Sequence, residues 1–123
     1  MILKDALPQG RITGTGSLRT VVQTVFDVLA RFRQYMTHPG NSRFEPLFEI
    51  AMQKQLYNLL LEWLSGETTN SPDKVETTAV VASWGIFGAA VQWSRDPLHS
   101  TSEMMVHRVS EVAAAALAPV LGE

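Results

Sequence analysis

Three residues of the segment HSTSEMMVH have side chains that can bind zinc: His99, Glu103 and His107. They are four residues apart, so a continuous helix would carry all three on one face. His99, however, precedes the expected start of the last helix, and this breaks the spacing. Glu103 also fits a capping box with Ser100, where its carboxylate accepts a backbone N–H. We therefore expect no metal site.

Other signs of catalytic chemistry are weak. The segment GRITGTGS is rich in glycine, but it lacks the lysine of a phosphate-binding P-loop and follows no clear strand. The paired glutamates and Glu-x-x-His motifs of di-iron bundles are missing. The chain has no cysteine, which excludes disulfides, thiol catalysis and thiolate metal sites. We expect no enzyme, no catalytic residue and no cofactor.

A length of 123 residues suggests one domain. The distribution of charged residues along it argues against a nucleic-acid-binding surface in this chain. Residues 1–58 hold seven Lys and Arg against four Asp and Glu, and residues 59–123 hold three against eight, yet neither half has a dense basic cluster. The start, MILKDALPQG, carries charges and no long apolar core, so it is not a signal peptide. We expect a cytoplasmic protein.

Apolar residues recur with helical spacing along most of the chain, and no strand pattern is present. Residues 1–16 are expected to form a loop-rich segment, and residues 17–123 a single all-α domain. Ser17, Ser42 and Ser71 are predicted N-caps, and Gly66 a predicted C-cap. The sequence predicts an antiparallel bundle of about four long helices, at residues 18–36, 43–64, 72–94 and 102–121.

The third predicted helix has no charged residue between Thr77 and Ser94. Its most apolar part, from Ala79 to Val91, is shorter than a membrane-spanning helix and is interrupted by serine and glycine, so we expect no membrane contact. A helix that is apolar all round is buried on every side. Four helices cannot easily surround one of their own number. A second chain is the economical source of that burial, and a tightly packed monomeric bundle is the alternative.

Small residues line one arc of this helix and one stripe of the fourth helix. We expect both helices to pair with their copies in a homodimer and to form an intermolecular four-helix bundle around a two-fold axis. The predicted interface residues are Val81, Gly85, Gly88, Gln92, Val109, Ala113 and Ala116.

The segment TTAVVASWGIFGAAVQWSRDPLHSTSEMMVHRVSEV resembles the last two helices of the TetR family of bacterial transcriptional regulators. An apolar helix with small residues ends in a tryptophan, a short turn with proline and serine follows, and an amphipathic helix closes the domain. The matching positions are Gly85, Gly88, Trp93, Pro97, Ser102, Glu103 and Met104. Upstream, VVQTVFDVLARFRQYM and FEPLFEIAMQKQLYNLLLEWL are similar to the long helices of the family's ligand-binding domain, so the likeness covers about residues 17–121.

The resemblance implies a dimeric regulatory domain that binds a small effector and thereby controls DNA binding. Family members begin with a helix-turn-helix domain, and nothing like it precedes Ser17. We therefore expect the chain to be the C-terminal part of a longer protein or a naturally truncated relative. DNA contacts are expected only through a helix-turn-helix domain that is not in this chain.

The effector is expected to be small and largely apolar, and to bind between the helices. Tyr57, Ser83 and Gln92 could supply hydrogen bonds to it. Aromatic and methionine stripes at helical spacing also occur in ordinary cores, and a helical dimerisation or adaptor module without a ligand is the alternative function. The predicted ligand-binding residues are Phe26, Leu29, Phe48, Met52, Trp84 and Phe87.

Overall fold

The computed structural model describes residues 15–36, 45–67, 71–95 and 101–121. Nearly all of these residues are helical, and the described ranges contain no strand. The predicted all-α bundle is confirmed, with each expected helix present. The helices are α1 (Thr15–Met36), α2 (Glu45–Glu67), α3 (Pro72–Arg95) and α4 (Ser102–Leu121).

Two helix ends differ from the prediction. Helix α1 begins at Thr15, so Ser17 lies inside the helix and is not its N-cap. Helix α2 continues to Glu67, so Gly66 is helical and is not a C-cap. Glycine costs about 1 kcal/mol of helix propensity relative to alanine but does not forbid the helical conformation. Residues 1–14 and the predicted cap Ser42 lie outside the described residues.

Side-chain caps fix the starts of the last two helices. The predicted N-cap Ser71 is confirmed, because the backbone N–H of Lys74 donates to its Oγ over 3.4 Å. Pro72 takes the first helical position, where its missing N–H costs nothing. Before α4, the N–H of Met104 donates to Oγ1 of Thr101 over 3.1 Å. Thr101 is thus the residue that caps α4.

The core forms where the apolar stripe of α1 meets the inner sides of the other helices. Helix α3 packs against all three of its neighbours, α1 packs against α3 and α4, and α2 packs mainly against α3. Each fully buried large apolar side chain contributes roughly 1.5–3 kcal/mol of transfer free energy. The buried stripe of α1 follows the predicted spacing and consists of Leu18, Val21, Val22, Val25, Phe26, Val28 and Leu29.

Long-range contacts define the direction of the helices. Arg33, near the end of α1, contacts Glu49 near the start of α2 and Ser94 near the end of α3. Helices α1 and α3 therefore run in the same direction, and α2 runs against both. Helix α4 starts shortly after α3 ends and runs back along it. This arrangement is the antiparallel bundle that the sequence predicts, and it leaves one side of α3 and α4 facing outward.

Candidate functional site

An apolar surface lies along the outward side of α3 and the adjoining side of α4, where Arg108 interrupts it, and we call it the outer face. Three of its large side chains are mostly exposed: Val81 at 64%, Trp84 at 56% and Val112 at 71%. On α3 the exposed stretch has no charged residue from Thr77 to Ser94. Clusters of exposed large apolar side chains are common on surfaces that contact a partner. Even with three neighbours, α3 is not buried on every side within one protomer.

The first part of the outer face is the α3–α4 groove, an open depression of about 370 Å³. Five of the seven predicted interface residues line it: Val81, Gly85, Val109, Ala113 and Ala116. The predicted interface set lacks the five other lining residues, among them Val112 and Arg108. Val112 is three residues after Val109 and could have been found from that spacing. The other lining residues are Ala82, Ile86 and Ala89.

The second part is the α2–α3 groove, an open depression of about 520 Å³ on the other flank of α3. It contains the two remaining predicted interface residues, Gly88 and Gln92. Its rim is charged, with Glu49 from α2 and Arg95 from the end of α3. The rest of its lining is Trp84, Phe87 and Val91. The seven predicted interface residues therefore border two grooves on either flank of α3.

Gly85 lines the α3–α4 groove and Gly88 lines the α2–α3 groove, and both glycines are exposed. A Cβ atom added at either position would meet nothing within 4 Å. Packing within the protomer therefore does not require glycine at these positions. What the glycines provide is a low strip of backbone that another helix can approach closely. The two glycines thus form a low strip of backbone near the centre of the outer face.

The predicted ligand-binding residues separate into two groups. Phe26, Leu29, Met52 and Phe87 belong to one buried core cluster, and Phe48 packs against it. Trp84 does not belong to that cluster and faces outward. Phe87 is buried yet also reaches the floor of the α2–α3 groove. The structure therefore brings five of the six residues to the interior and places the sixth on the outer face.

Aromatic stacking reinforces this interior. The rings of Phe26 and Trp93 are tilted at 44° with centroids 5.3 Å apart. The rings of Phe32 and Phe48 are stacked, with centroids 3.8 Å apart. Such pairs contribute about 0.5–1.5 kcal/mol beyond their buried area. They connect α1 to α3 and to α2.

The polar residues predicted to hydrogen-bond an effector have different surroundings. Ser83 is fully buried. Its Oγ accepts a hydrogen bond from Nε2 of Gln53 over 3.0 Å and donates to the carbonyl of Val80 over 3.1 Å. Tyr57 is half-buried against the core, and Gln92 is exposed. Ser83 thus already takes part in a contact between α2 and α3.

A polar cluster joins α1, α2 and α3 at one end of the bundle. The Nε of Arg33 donates to Oγ of Ser94 over 3.2 Å, and its Nη2 donates to Oε1 of Glu49 over 3.4 Å. Arg95 approaches the same carboxylate oxygen, at 3.7 Å. Ser94 in turn donates to the carbonyl of Val91 over 2.8 Å. Glu49 therefore bridges two arginines from two different helices.

We expect Glu49→Gln to lower the free energy of unfolding by about 1 kcal/mol, because a neutral amide loses the attraction to both arginines. The Glu49 side chain is only 22% exposed, so solvent screens this contact partially. Arg95→Gln is the matched comparison. Its side chain is 60% exposed, and its loss should cost less than half as much. Urea unfolding of both variants measures the difference, and equal stability of Glu49→Gln and the unmodified chain would contradict the bridging role.

The described residues contain no group of three or more His, Cys, Asp or Glu side chains placed to hold a metal ion. His107 and Glu111 form an exposed i, i+4 pair with Nε2 and Oε1 3.1 Å apart. His99 lies outside the described residues.

Within the described ranges, no helix has both the length and the apolarity needed to cross a membrane.

No match to this chain was found among models of known protein families, among curated proteins or among solved structures. The likeness to the TetR family therefore rests on the residue pattern described above. Beside that residue pattern, the structure provides one further observation, the exposed outer face on which Gly85 and Gly88 border the two grooves.

Proposed function

We propose that this chain is the effector-binding and dimerisation domain of a TetR-like transcriptional regulator that acts in the cytoplasm. DNA binding is assigned to a helix-turn-helix domain outside this chain. The observation that carries the proposal is the exposed apolar outer face, which has no charged residue on α3 from Thr77 to Ser94. Those are also the two helices whose sequence resembles the dimerisation helices of the family.

A second copy of the chain is the occupant that suits the outer face. Two such faces related by a two-fold axis bring α3 and α4 of each copy together as a four-helix bundle. The exposed valines would then be buried, and the glycine strip would allow the α3 helices to approach closely. The exposed charged residues at the two ends of α3, such as Asp73 and Arg95, would remain at the rim, where solvent can still reach them.

The effector is assigned to the space between α1, α2 and α3, and to a small, largely apolar molecule. The side chains there are aromatic or aliphatic, and they include Phe26, Phe48 and Met52. Helix α1 contacts both proposed dimerisation helices. A ligand that separates α1 from α3 would therefore alter the support of the dimer, which is a physical route from binding to regulation.

A dimerisation or adaptor module without a ligand is the second candidate, and one observation favours it. Phe26, Leu29 and Met52 are at most 2% exposed and pack in one cluster. A solid cluster of this kind needs no ligand to complete it. The two candidates share the dimer and differ only in whether the interior opens to a small molecule.

Light scattering on a sizing column tests the shared part of the proposal. We expect a particle of twice the protomer mass of 13.6 kDa at micromolar concentration. A monomer under these conditions would overturn the proposal. Thermal unfolding in the presence of a panel of small apolar compounds then separates the two candidates. A compound that raises the melting temperature favours the regulator, because it binds the folded chain preferentially; no shift with any compound favours the adaptor.

A further inference from the structure

We propose that the α3–α4 groove binds a free alkyl carboxylate of medium chain length, with the carboxylate on Arg108 and the hydrocarbon chain along the apolar walls. This site differs from the interior space between α1, α2 and α3 that is assigned to the effector, so the inference goes beyond the proposed function. Only its consequence for dimerisation rests on that function.

The walls of the α3–α4 groove are apolar except at one residue. Among the described residues that line it, Arg108 is the only one with a polar or charged side chain. The volume of about 370 Å³ lies within the range of small-molecule sites, roughly 300–1,000 Å³. Such sites combine apolar walls with a few polar groups that fix the orientation of the ligand. The groove thus fits a small molecule that is apolar apart from one charged group.

Arg108 lies at one end of this groove. The lining residues run from Val81 to Ala89 on α3 and from Arg108 to Ala116 on α4, which is about 12 Å along each helix axis. Because α4 runs back along α3, Arg108 lies at the end marked by Ala89, and Val81 and Ala116 mark the other end. The groove therefore has one charged end and one apolar end. An extended ion such as octanoate has the same polarity and a suitable length.

The guanidinium of Arg108 has no anionic partner in the described part of the chain. No hydrogen bond or ion pair joins it to any of the described residues. Glu111, the acidic residue nearest to it along α4, is directed instead at His107, with Nε2 and Oε1 3.1 Å apart. The facing helix offers no carboxylate either, since α3 has no charged residue from Thr77 to Ser94. A guanidinium presents paired N–H donors that match the two oxygens of a carboxylate.

A free carboxylate suits this groove better than the α3 helix of a second copy. That helix is uncharged over the same stretch and would bring no anion to Arg108. The carboxylate supplies the charge and covers the apolar walls at the same time. Val81, Gly85 and Ala113 line the groove and are also predicted to contact a second copy, so the two occupants exclude each other. In the proposed dimer, the carboxylate is therefore expected to shift the equilibrium toward the monomer.

Isothermal titration calorimetry of the chain with octanoate tests the site. We expect saturable binding of one octanoate per chain. The neutral 1-octanol should bind at least about tenfold more weakly, because it lacks the charge-assisted hydrogen bonds to the guanidinium. Hexanoate keeps the charge but has a shorter chain. It should bind roughly three- to tenfold more weakly, since less apolar surface is covered.

Variants of Arg108 test the charged end. Arg108→Gln should raise the dissociation constant of octanoate about tenfold and leave that of 1-octanol unchanged. Arg108→Lys should lose less affinity for octanoate, because it keeps the charge and loses only the paired donors. Arg19→Gln is the matched control, since Arg19 is an exposed arginine on α1 that lines neither groove. It should bind octanoate as tightly as the unmodified chain.

Ala116→Phe tests the apolar end. Ala116 is exposed in the groove, and a phenyl ring there takes the space assigned to the end of the alkyl chain. We expect the dissociation constant of octanoate to rise at least about tenfold. Ala115→Phe is the matched control, because Ala115 is also exposed on α4 but lines neither groove. Circular dichroism verifies that each variant is folded.

Sedimentation equilibrium with and without octanoate measures the consequence for dimerisation. With octanoate at about ten times its own dissociation constant, the dimer dissociation constant should rise about hundredfold, because each of the two protomers must release one ligand. Arg108→Gln should need about tenfold more octanoate for the same effect.

The outcomes separate this inference from the proposed function. If the chain is monomeric but binds octanoate through Arg108, the groove site is supported and the dimer is wrong. If octanoate does not bind, or binds Arg108→Gln and Ala116→Phe as tightly as the unmodified chain, the groove site is wrong and light scattering still decides on the dimer. If octanoate binds through Arg108 and leaves the dimer dissociation constant unchanged, the site stands and competition with a second copy is wrong.

Discussion

Gly85→Leu should convert the dimer to a monomer at micromolar concentration while leaving the protomer folded. Gly85 lies at the centre of the outer face. In the proposed dimer each copy would add one leucine to the contact between the two α3 helices, and the two leucines would hold these helices apart. Within the protomer the new side chain has open space, since nothing lies within 4 Å of the Cβ position. Leucine also has a better helix propensity than glycine, by about 0.5–1 kcal/mol. The monomeric variant should therefore have a well-formed α3.

Gly66→Leu is the control for Gly85→Leu. Gly66 is also helical and exposed with an open Cβ position, but it lies in the last turn of α2, away from both grooves. It should gain less helix propensity than Gly85→Leu, because it lies in a terminal turn, and it should remain dimeric. Light scattering and circular dichroism on both variants make the comparison. Persistence of an equally tight Gly85→Leu dimer would show that the α3 helices do not approach each other at this glycine.

The sequence predicted the helices well because their determinants are local. The apolar stripe of α1 repeats every three or four residues, and the structure buries it as expected. Ser71 and Pro72 start α3 as predicted. The ends that differed, at Thr15 and Glu67, are terminal turns, where the free energy of adding one more residue to a helix is close to zero.

The residues that surround α3 could not be predicted from the sequence as accurately as the positions of the helices. A helical wheel puts Trp84 and Phe87 on one apolar arc, yet Phe87 points into the core and Trp84 points outward. The wheel gives the direction of each side chain but not the position of the neighbouring helices. The contact of Arg33 with Ser94 joins residues 61 positions apart and depends on how α1 and α3 are packed. Contacts of that range follow from the tertiary arrangement alone.

Phe26→Ala should lower the free energy of unfolding by about 3–5 kcal/mol, and the melting temperature by roughly 10–20 °C. Phe26 is fully buried and packs against the ring of Trp93. Its truncation removes apolar contacts and leaves a cavity that a rigid helical core cannot close completely. Leu47→Ala is the control, because Leu47 is 68% exposed and its truncation should cost less than about 0.5 kcal/mol. Thermal and urea unfolding of both variants give the numbers.

The same pair of variants tests whether the interior already contains an effector site. If Phe26 is a core residue, the cavity made by Phe26→Ala is new, apolar and dry, and benzene should raise the melting temperature of the variant but not of the unmodified chain. If Phe26 lines an existing pocket, its truncation enlarges a space that is already there. The loss of stability would then fall well below 3 kcal/mol, because part of the ring was never packed against protein, and benzene would stabilise both chains. The first result supports the adaptor, and the second supports the effector-binding regulator.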